Sequence, residues 1–265
     1  GSNGAAGVRL PALDLAVGDV VVGLNDRAWR LAGFDDADDA SRRGVRECAA
    51  YREATPLDWS NDTRSTSRRP PSPTLVVVFV QDLMKRVSEW SRVALSATAY
   101  DGLCAAFAAR EISKYYWALC HKAPRESSGV IKRAILEEER RKDRYTAEKR
   151  GVLSSKGKPA VTAYRVLEAS PLGALIEARP VTGRLHQVRL HLDSIGAGIL
   201  GDKLYGPTRT NSASHRLALH AHRIAFDHPV SAGRVDVRTA FPKDLRRVLR
   251  ALELGRPDLA DQDST

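Results

Sequence analysis

The sequence is short of several things, and each shortage removes a class of protein. Only three of its 265 residues are cysteine (Cys48, Cys104 and Cys120), an odd number with no CxxC pair, so neither a disulfide framework nor a cysteine zinc site is indicated. No apolar run approaches the 18 or more residues of a membrane span; the longest is Leu75-Val-Val-Val-Phe-Val80, and the chain is read as soluble with no membrane partner. Lysine is scarce too: ten of the 42 basic residues, which leaves 32 arginines. Aromatic residues make up 6%, methionine occurs once, at position 84, and we find no internal repeat.

What is present fits a folded domain with an anionic partner. Hydrophobic residues at 43% and charged residues at 28% are an ordinary globular balance. Acidic residues number 32 against the 42 basic ones, so the formal net charge is +10. An excess built from planar, bidentate guanidinium groups suits phosphate and base-edge contacts, which makes nucleic acid the leading partner class.

Residues 1–73 read as an irregular N-terminal extension and linker. They hold one strand-like stretch at Val17–Leu24, an acidic run at 35–39 and a Pro/Ser/Arg-rich segment at 60–73. A folded domain is expected over 74–254 and a polar tail over 255–265. Within the domain, Leu75–Val80 and Arg92–Ala97 read as strands, Ala99–Ile112 as an amphipathic helix and Lys114–Leu119 as an aromatic, alternating strand. The charged run 137–144 reads as a solvated insertion. Ala160–Leu167, Leu172–Arg179, Gln187–Leu192, Arg216–Phe226 and Arg234–Ala240 follow as further strands or short elements, then a terminal helix over Arg246–Leu254. Many strands beside few helices give an α+β class with a central sheet.

Several spaced motifs then occur in one order: Phe107-Ala-Ala-Arg110 with Lys114-Tyr-Tyr-Trp-Ala-Leu119; Gly157-Lys-Pro-Ala-Val-Thr-Ala-Tyr164; Pro180-Val-Thr-Gly-Arg-Leu-His-Gln-Val-Arg-Leu-His-Leu192; Ile199-Leu-Gly-Asp-Lys-Leu-Tyr-Gly206; and Leu219-His-Ala221 with His228-Pro229. Together they resemble the RluA-type pseudouridine synthases over about Leu75 to Leu245, a far more specific signal than any one motif. The resemblance implies the catalytic fold of that family, a mostly antiparallel central sheet flanked by helices. It also implies a structured RNA as partner, rRNA first, and no cofactor. In the family the tyrosine of the KxY block stacks on the target base, here Tyr116, and the arginine ending HQxR pairs with the catalytic aspartate, here Arg189. Lys114, Tyr115, Arg184, His186 and Gln187 are the accompanying RNA-binding candidates, and Tyr115, Tyr116 and Trp117 offer rings for an extruded base.

The family's nucleophile is missing. Its aspartate belongs to an HRLDxxTSG motif, and this sequence contains no HRLD. Carried back without gaps from Phe107, the register sets Gln81-Asp82-Leu83-Met84 against HRLD, so Met84 takes the aspartate position. A thioether has no ionisable oxygen and cannot serve as nucleophile. Two readings stay open: an RNA-binding protein that has lost isomerisation, or an active rRNA or tRNA synthase that uses Asp82. Two residues along a strand keep a side chain on the same face but displace it by about 6–7 Å, against a catalytic tolerance of roughly 1 Å. Glu89 and Asp202 are poorer substitutes. Six of the seven histidines lie beyond residue 185, yet no ligand spacing supports a metal site, and none is expected. The Arg-rich composition and degenerate motif suit an organellar ribosome system, so a mitochondrial location is expected, with cytoplasm or nucleolus as the alternatives and assembly-particle proteins as further partners.

Overall fold

The protein's computed structural model describes residues 8–10, 14–17, 20–24, 76–78, 90–94, 97–141, 147–206, 214–231, 233–255 and 257. The chain forms two compact units, each discontinuous in sequence: 1–81, 90–112 and 225–237 in one, and 82–89, 113–224 and 238–265 in the other.

In the first unit, β1 (Val8–Leu10), β2 (Asp14–Val17) and β3 (Val20–Leu24) lie within the stretch read as an irregular extension. The Val-Val-Val-Gly-Leu sequence of β3 pairs antiparallel with β5 (Trp90–Ala94), which also pairs with β4 (Val76–Val78). With β2 beside β3 they make a four-stranded sheet in the order β2-β3-β5-β4. β-Branched valine favours such pleated surfaces, which is why β3 and β4 were visible in the sequence. Val8–Leu10 is less obvious, since its parallel partner is Val235–Val237 of β13 (Arg234–Arg238), at the far end of the sequence. The helix α1 spans Ala97–Ala108, four residues shorter at its C-terminus than the amphipathic pattern suggested, and buries Ala99 and Leu103 completely.

The second unit is organised by strands in the order β12-β6-β11-β10-β7: Leu219–Asp227, Ser113–Cys120, Gly173–Pro180, Val161–Ser170 and Ser128–Lys132. The β6–β11, β11–β10 and β10–β7 pairs are antiparallel, with one bulge in β10 between Val166 and Glu168. Both faces of the central strands are covered. Ala174–Ile176 and Trp117–Cys120 are each at most 1% exposed, so these strands read as continuous apolar runs rather than alternating ones.

Two elements take forms the sequence did not show. Within the charged run after Ile135, whose Glu137, Glu138 and Glu139 are exposed, β8 (Ile135–Arg141) pairs with β9 (Ala147–Leu153) as a two-stranded hairpin, with Glu138 opposite Arg150 and Glu139 opposite Lys149 in the register. Cross-strand opposite charges stabilise such a ribbon by about 0.2–1 kcal/mol per pair, so a wholly charged segment can still be a strand. Gln187–Leu192, read as a strand or short element, belongs to helix α2 (Gln187–Ser194). No helical period shows in the sequence because Gln187, Arg189 and His191 are buried along with Val188, Leu190 and Leu192, leaving no polar face for the period to register. The terminal helix is α3 (Leu245–Ala251), whose Leu245, Val248 and Leu249 join the core cluster of β6 and β11.

Candidate functional site

The site is built at the start of α2. His186, the residue before the helix, has φ 55, a left-handed backbone that a side chain with a Cβ rarely adopts. Such a residue costs about 1–3 kcal/mol and persists only where its surroundings over-determine it. Here they do, because the His186 Nδ1 lies 2.7 Å from the Tyr205 hydroxyl.

Below that turn a polar frame joins α2 to the sheet. The Gln187 amide donates to Val161 O and to Thr162 Oγ1, both at 2.9 Å, and its Oε1 accepts from Thr182 Oγ1 at 2.7 Å and from the Arg184 N–H at 3.0 Å. The Val161 N–H donates to Thr182 Oγ1 at 2.9 Å. His191 completes the frame, with Nδ1 2.9 Å from Thr162 Oγ1 and Nε2 2.9 Å from Arg133 O. A backbone carbonyl only accepts, so Nε2 carries the proton and Nδ1 accepts from the threonine. Burial is the main reason the His191 titration is lowered, against the opposing pull of the Arg133 carbonyl.

Arg189 and Asp202 form a buried, bidentate ion pair. The guanidinium donates from Nε to Oδ2 at 2.7 Å and from Nη2 to Oδ1 at 2.6 Å, with the two side chains 4% and 1% exposed. Oδ1 also accepts from the amides of Leu204 at 2.9 Å and Tyr205 at 3.1 Å. Burial alone would raise the Asp202 pKa, but the Arg189 hydrogen bonds and charge and those two amides outweigh it, and the carboxyl sits below its usual range. The turn that carries Asp202 depends on Gly201 at φ +71, where a Cβ would stand 2.1 Å from the Arg216 carbonyl oxygen. The neighbouring His186 is driven the other way. Burial and the charges of Arg189 and Arg150, only partly offset by Asp202, lower it to about 4, so its ring is neutral near pH 7.

The register settles where the expected site residues lie. Tyr116 is opposite Ala178, which is opposite Tyr164, and Thr162 lies two residues further along the same strand. Alternation therefore gives Tyr116 and Thr162 one face of the sheet, the face onto which the Thr162 hydrogen bonds bring α2 and hence Arg189. Tyr116 is half-buried there. Tyr115 points to the opposite face, with the guanidinium carbons of Arg179 and Arg223 at 5.5 and 4.9 Å from its ring centroid. Arg184 is half-exposed and donates from Nε to Pro159 O at 3.2 Å.

Three of the sequence expectations are changed by burial. Trp117 is 1% exposed and stacked on His222 at 3.9 Å between centroids, so it is a core ring rather than a platform for a base. Gln187 has every hydrogen-bonding position of its amide used inside the fold and acts as scaffold. Lys114 is buried at 9%. Asp82 and Met84 lie outside the described residues. Sequence reasoning passed over Tyr205, Thr162 and Arg150. Tyr205 and Thr162 sit inside motifs that it quoted, whereas Arg150 had no local signal, since only the hairpin brings it to Leu204 O at 2.9 Å.

Comparison with known proteins agrees with this fold. Residues 92–194 match the RNA pseudouridylate synthase family, a span that holds Tyr116 and Arg189 and opens after Asp82 and Met84. The chain is 35% identical over 170 residues to the ribosomal large subunit pseudouridine synthase D of Zymomonas mobilis, covering 60% of this chain and 51% of that one. It is 37% identical over 139 residues to the dual-specificity RNA pseudouridine synthase RluA of Pasteurella multocida, covering 52% and 61%. It thus spans about half to three-fifths of the length of these relatives. Among solved structures it resembles human RNA pseudouridylate synthase domain containing 4, with TM-score 0.52, 25% identity and coverage of 65% and 74%. A second likeness is to human RNA pseudouridylate synthase domain containing 1, with TM-score 0.50, 27% identity and coverage of 66% and 80%. The motifs in their order, the antiparallel sheet with its few helices and the matched span agree that this chain carries, over residues 92–194, a domain that matches the RNA pseudouridylate synthase family and is similar to its RluA-type members.

Proposed function

We propose that this chain binds a folded RNA, rRNA first, at the face of the sheet that carries Tyr116 and α2, and holds it without isomerising uridine. It would act in rRNA maturation or in assembly of a mitochondrial ribosome. The observation that carries the reading is the missing carboxylate: the sequence has no HRLD, and the ungapped register sets Met84 in its place. Arg189, the residue that serves that aspartate in the family, already shares two guanidinium nitrogens with Asp202, so its buried charge is balanced within the fold. Asp202 itself accepts four hydrogen bonds at 1% exposure and is poorly placed to attack a ribose carbon. The ring of Tyr116 would supply base stacking, worth about 1–3 kcal/mol, and the arginine-rich surface the phosphate contacts. The name of the Zymomonas relative supports rRNA as the partner.

The test is to incubate the full chain with rRNA and tRNA transcripts, map pseudouridine by carbodiimide modification, and measure RNA affinity across a salt series. Binding that weakens steeply with salt, without product, is the expected result; product at a defined uridine overturns the inactive reading. Salt-insensitive association with a ribosomal particle would point instead to its proteins as the partner. The names of the relatives favour a second reading, an active synthase using Asp82 with Tyr116 and Arg189. On that reading Asp82→Ala abolishes product while RNA binding survives. Fractionation of cells that carry the tagged protein checks the mitochondrial location.

A further inference from the structure

Tyr205 belongs to the Ile-Leu-Gly-Asp-Lys-Leu-Tyr-Gly motif, and neither the motif nor the proposed chemistry gives it a role. In the fold it touches the site in several ways. Its hydroxyl lies 2.7 Å from His186 Nδ1 and accepts from the Gly151 N–H at 3.1 Å. Its ring carries two guanidinium groups, with Arg189 Cζ at 4.8 Å and Arg150 Cζ at 5.2 Å from the centroid. Its own N–H donates to Asp202 Oδ1, the oxygen that also receives Arg189 Nη2. The β8–β9 hairpin is tied to the same point, since Arg150 Nη2 donates to Leu204 O. Gly151 is pressed so close to the turn before α2 that a Cβ there would stand 2.8 Å from Leu185 O and 2.9 Å from Leu190 Cδ1.

We infer that Tyr205 is a positioning residue: it sets the orientation of His186 and Arg189 and locks both to the root of the β8–β9 hairpin. The hydroxyl and the ring have separable duties. In the neutral His186 ring that burial favours, the hydroxyl can donate to Nδ1 while accepting from Gly151, which supports the neutral imidazole and anchors the left-handed turn that starts α2. The ring offers its face to Arg189, whose Nε and Nη2 are held by Asp202, and adds a further restraint on the plane of the guanidinium. The charged groups around His186 are Arg189, Arg150 and Asp202, so the lost hydroxyl should be felt directly in its titration.

The inference rests on the RNA-binding reading, and its test separates the two. Full-length wild type, Tyr205→Phe, Tyr205→Leu and Arg189→Ala are compared by NMR of labelled histidine rings and by affinity for an RNA hairpin with a uridine loop at fixed salt. Tyr205→Phe keeps the ring. It should move the His186 midpoint upward by about half a unit to one unit and weaken RNA binding by roughly three- to tenfold. Tyr205→Leu, where it folds, should weaken binding as far as Arg189→Ala does; where it does not fold, Tyr205→Phe decides alone. No shift of His186 in Tyr205→Phe, or a shift with unchanged affinity where Arg189→Ala weakens binding, overturns the inference. If Arg189→Ala binds the hairpin as tightly as wild type, the RNA-binding reading falls instead, while the His186 shift still reports on positioning.

Discussion

Both faces of the sheet in the second unit bury histidines, and they do so differently. On the face that carries α2, His191 uses both ring nitrogens in hydrogen bonds to Thr162 and the Arg133 carbonyl, and His186 is held to Tyr205. On the face that carries α3, His222 lies flat on Trp117 at 3.9 Å and 3°, with Nε2 3.0 Å from Glu177 Oε1, while His220 lies 6.2 Å from the same indole and Phe241 adds a ring at 5.6 Å. Hydrogen bonds fix direction, whereas stacking and apolar burial fix proximity. The first face is thus organised for placement of side chains, the second for cohesion.

Substitutions can break that comparison. On the cohesive face, Trp117→Ala should cost about 3–5 kcal/mol in denaturant unfolding and leave RNA affinity per folded molecule unchanged. On the placing face, Asp202→Ala should also cost about 3–5 kcal/mol, because it strands a buried guanidinium, but here RNA affinity should fall too. Arg189→Met combined with Asp202→Leu should recover most of that stability and none of the binding. A Trp117 variant that lost affinity, or a double variant that kept it, would erase the distinction. Gln187→Leu is the next smaller effect, about 1–3 kcal/mol from the unmatched groups of Thr182, Thr162 and Arg184, again with weakened binding.

The smallest effect is graded with pH. Burial lowers His186 to about 4 and His220 to about 3, and lowers His191 and His222 as well. Each takes up a proton more readily unfolded, near 6.5, than folded. The stability they supply is therefore complete above about pH 6.5 and declines as the pH falls toward 4, by at most about 1.4 kcal/mol per pH unit for each. Unfolding measured at pH 7, 6, 5 and 4 should show that slope. His222→Phe, which keeps a ring on Trp117 and leaves Glu177 its partner Arg165, should remove only the share of that slope that His222 supplies.

The motif order carried the family, the class and the central strands, because those motifs are the packed strands and turns themselves. Three things escaped for physical reasons. Wherever polar residues are buried in partnership, as in Gln187, Arg189 and His191, the contrast that reveals a helix disappears, and α2 looked like a strand. The β8–β9 hairpin was hidden because charge read along one strand looks like solvation, and only the partner strand shows that Glu138 stands opposite Arg150. The partnership of Arg189 with Asp202 joins two motifs that were each legible, but their meeting is a property of the fold. Tyr205 and Arg150 converge on the same spot, and nothing at their own positions announced it.

Val8 waits for Val235, its partner across the parallel pairing of β1 with β13. During synthesis at 5–20 residues per second, roughly 10–45 s separates the two strands. The β2–β3 hairpin closes as soon as it is made, whereas β1 spends that interval as an unpaired strand of Val-Arg-Leu. The first unit is therefore completed only after the segment that carries Tyr116, Arg189 and Tyr205 has been made. A ribosome stalled before residue 234 should leave β1 open to protease while the α2 frame is already protected.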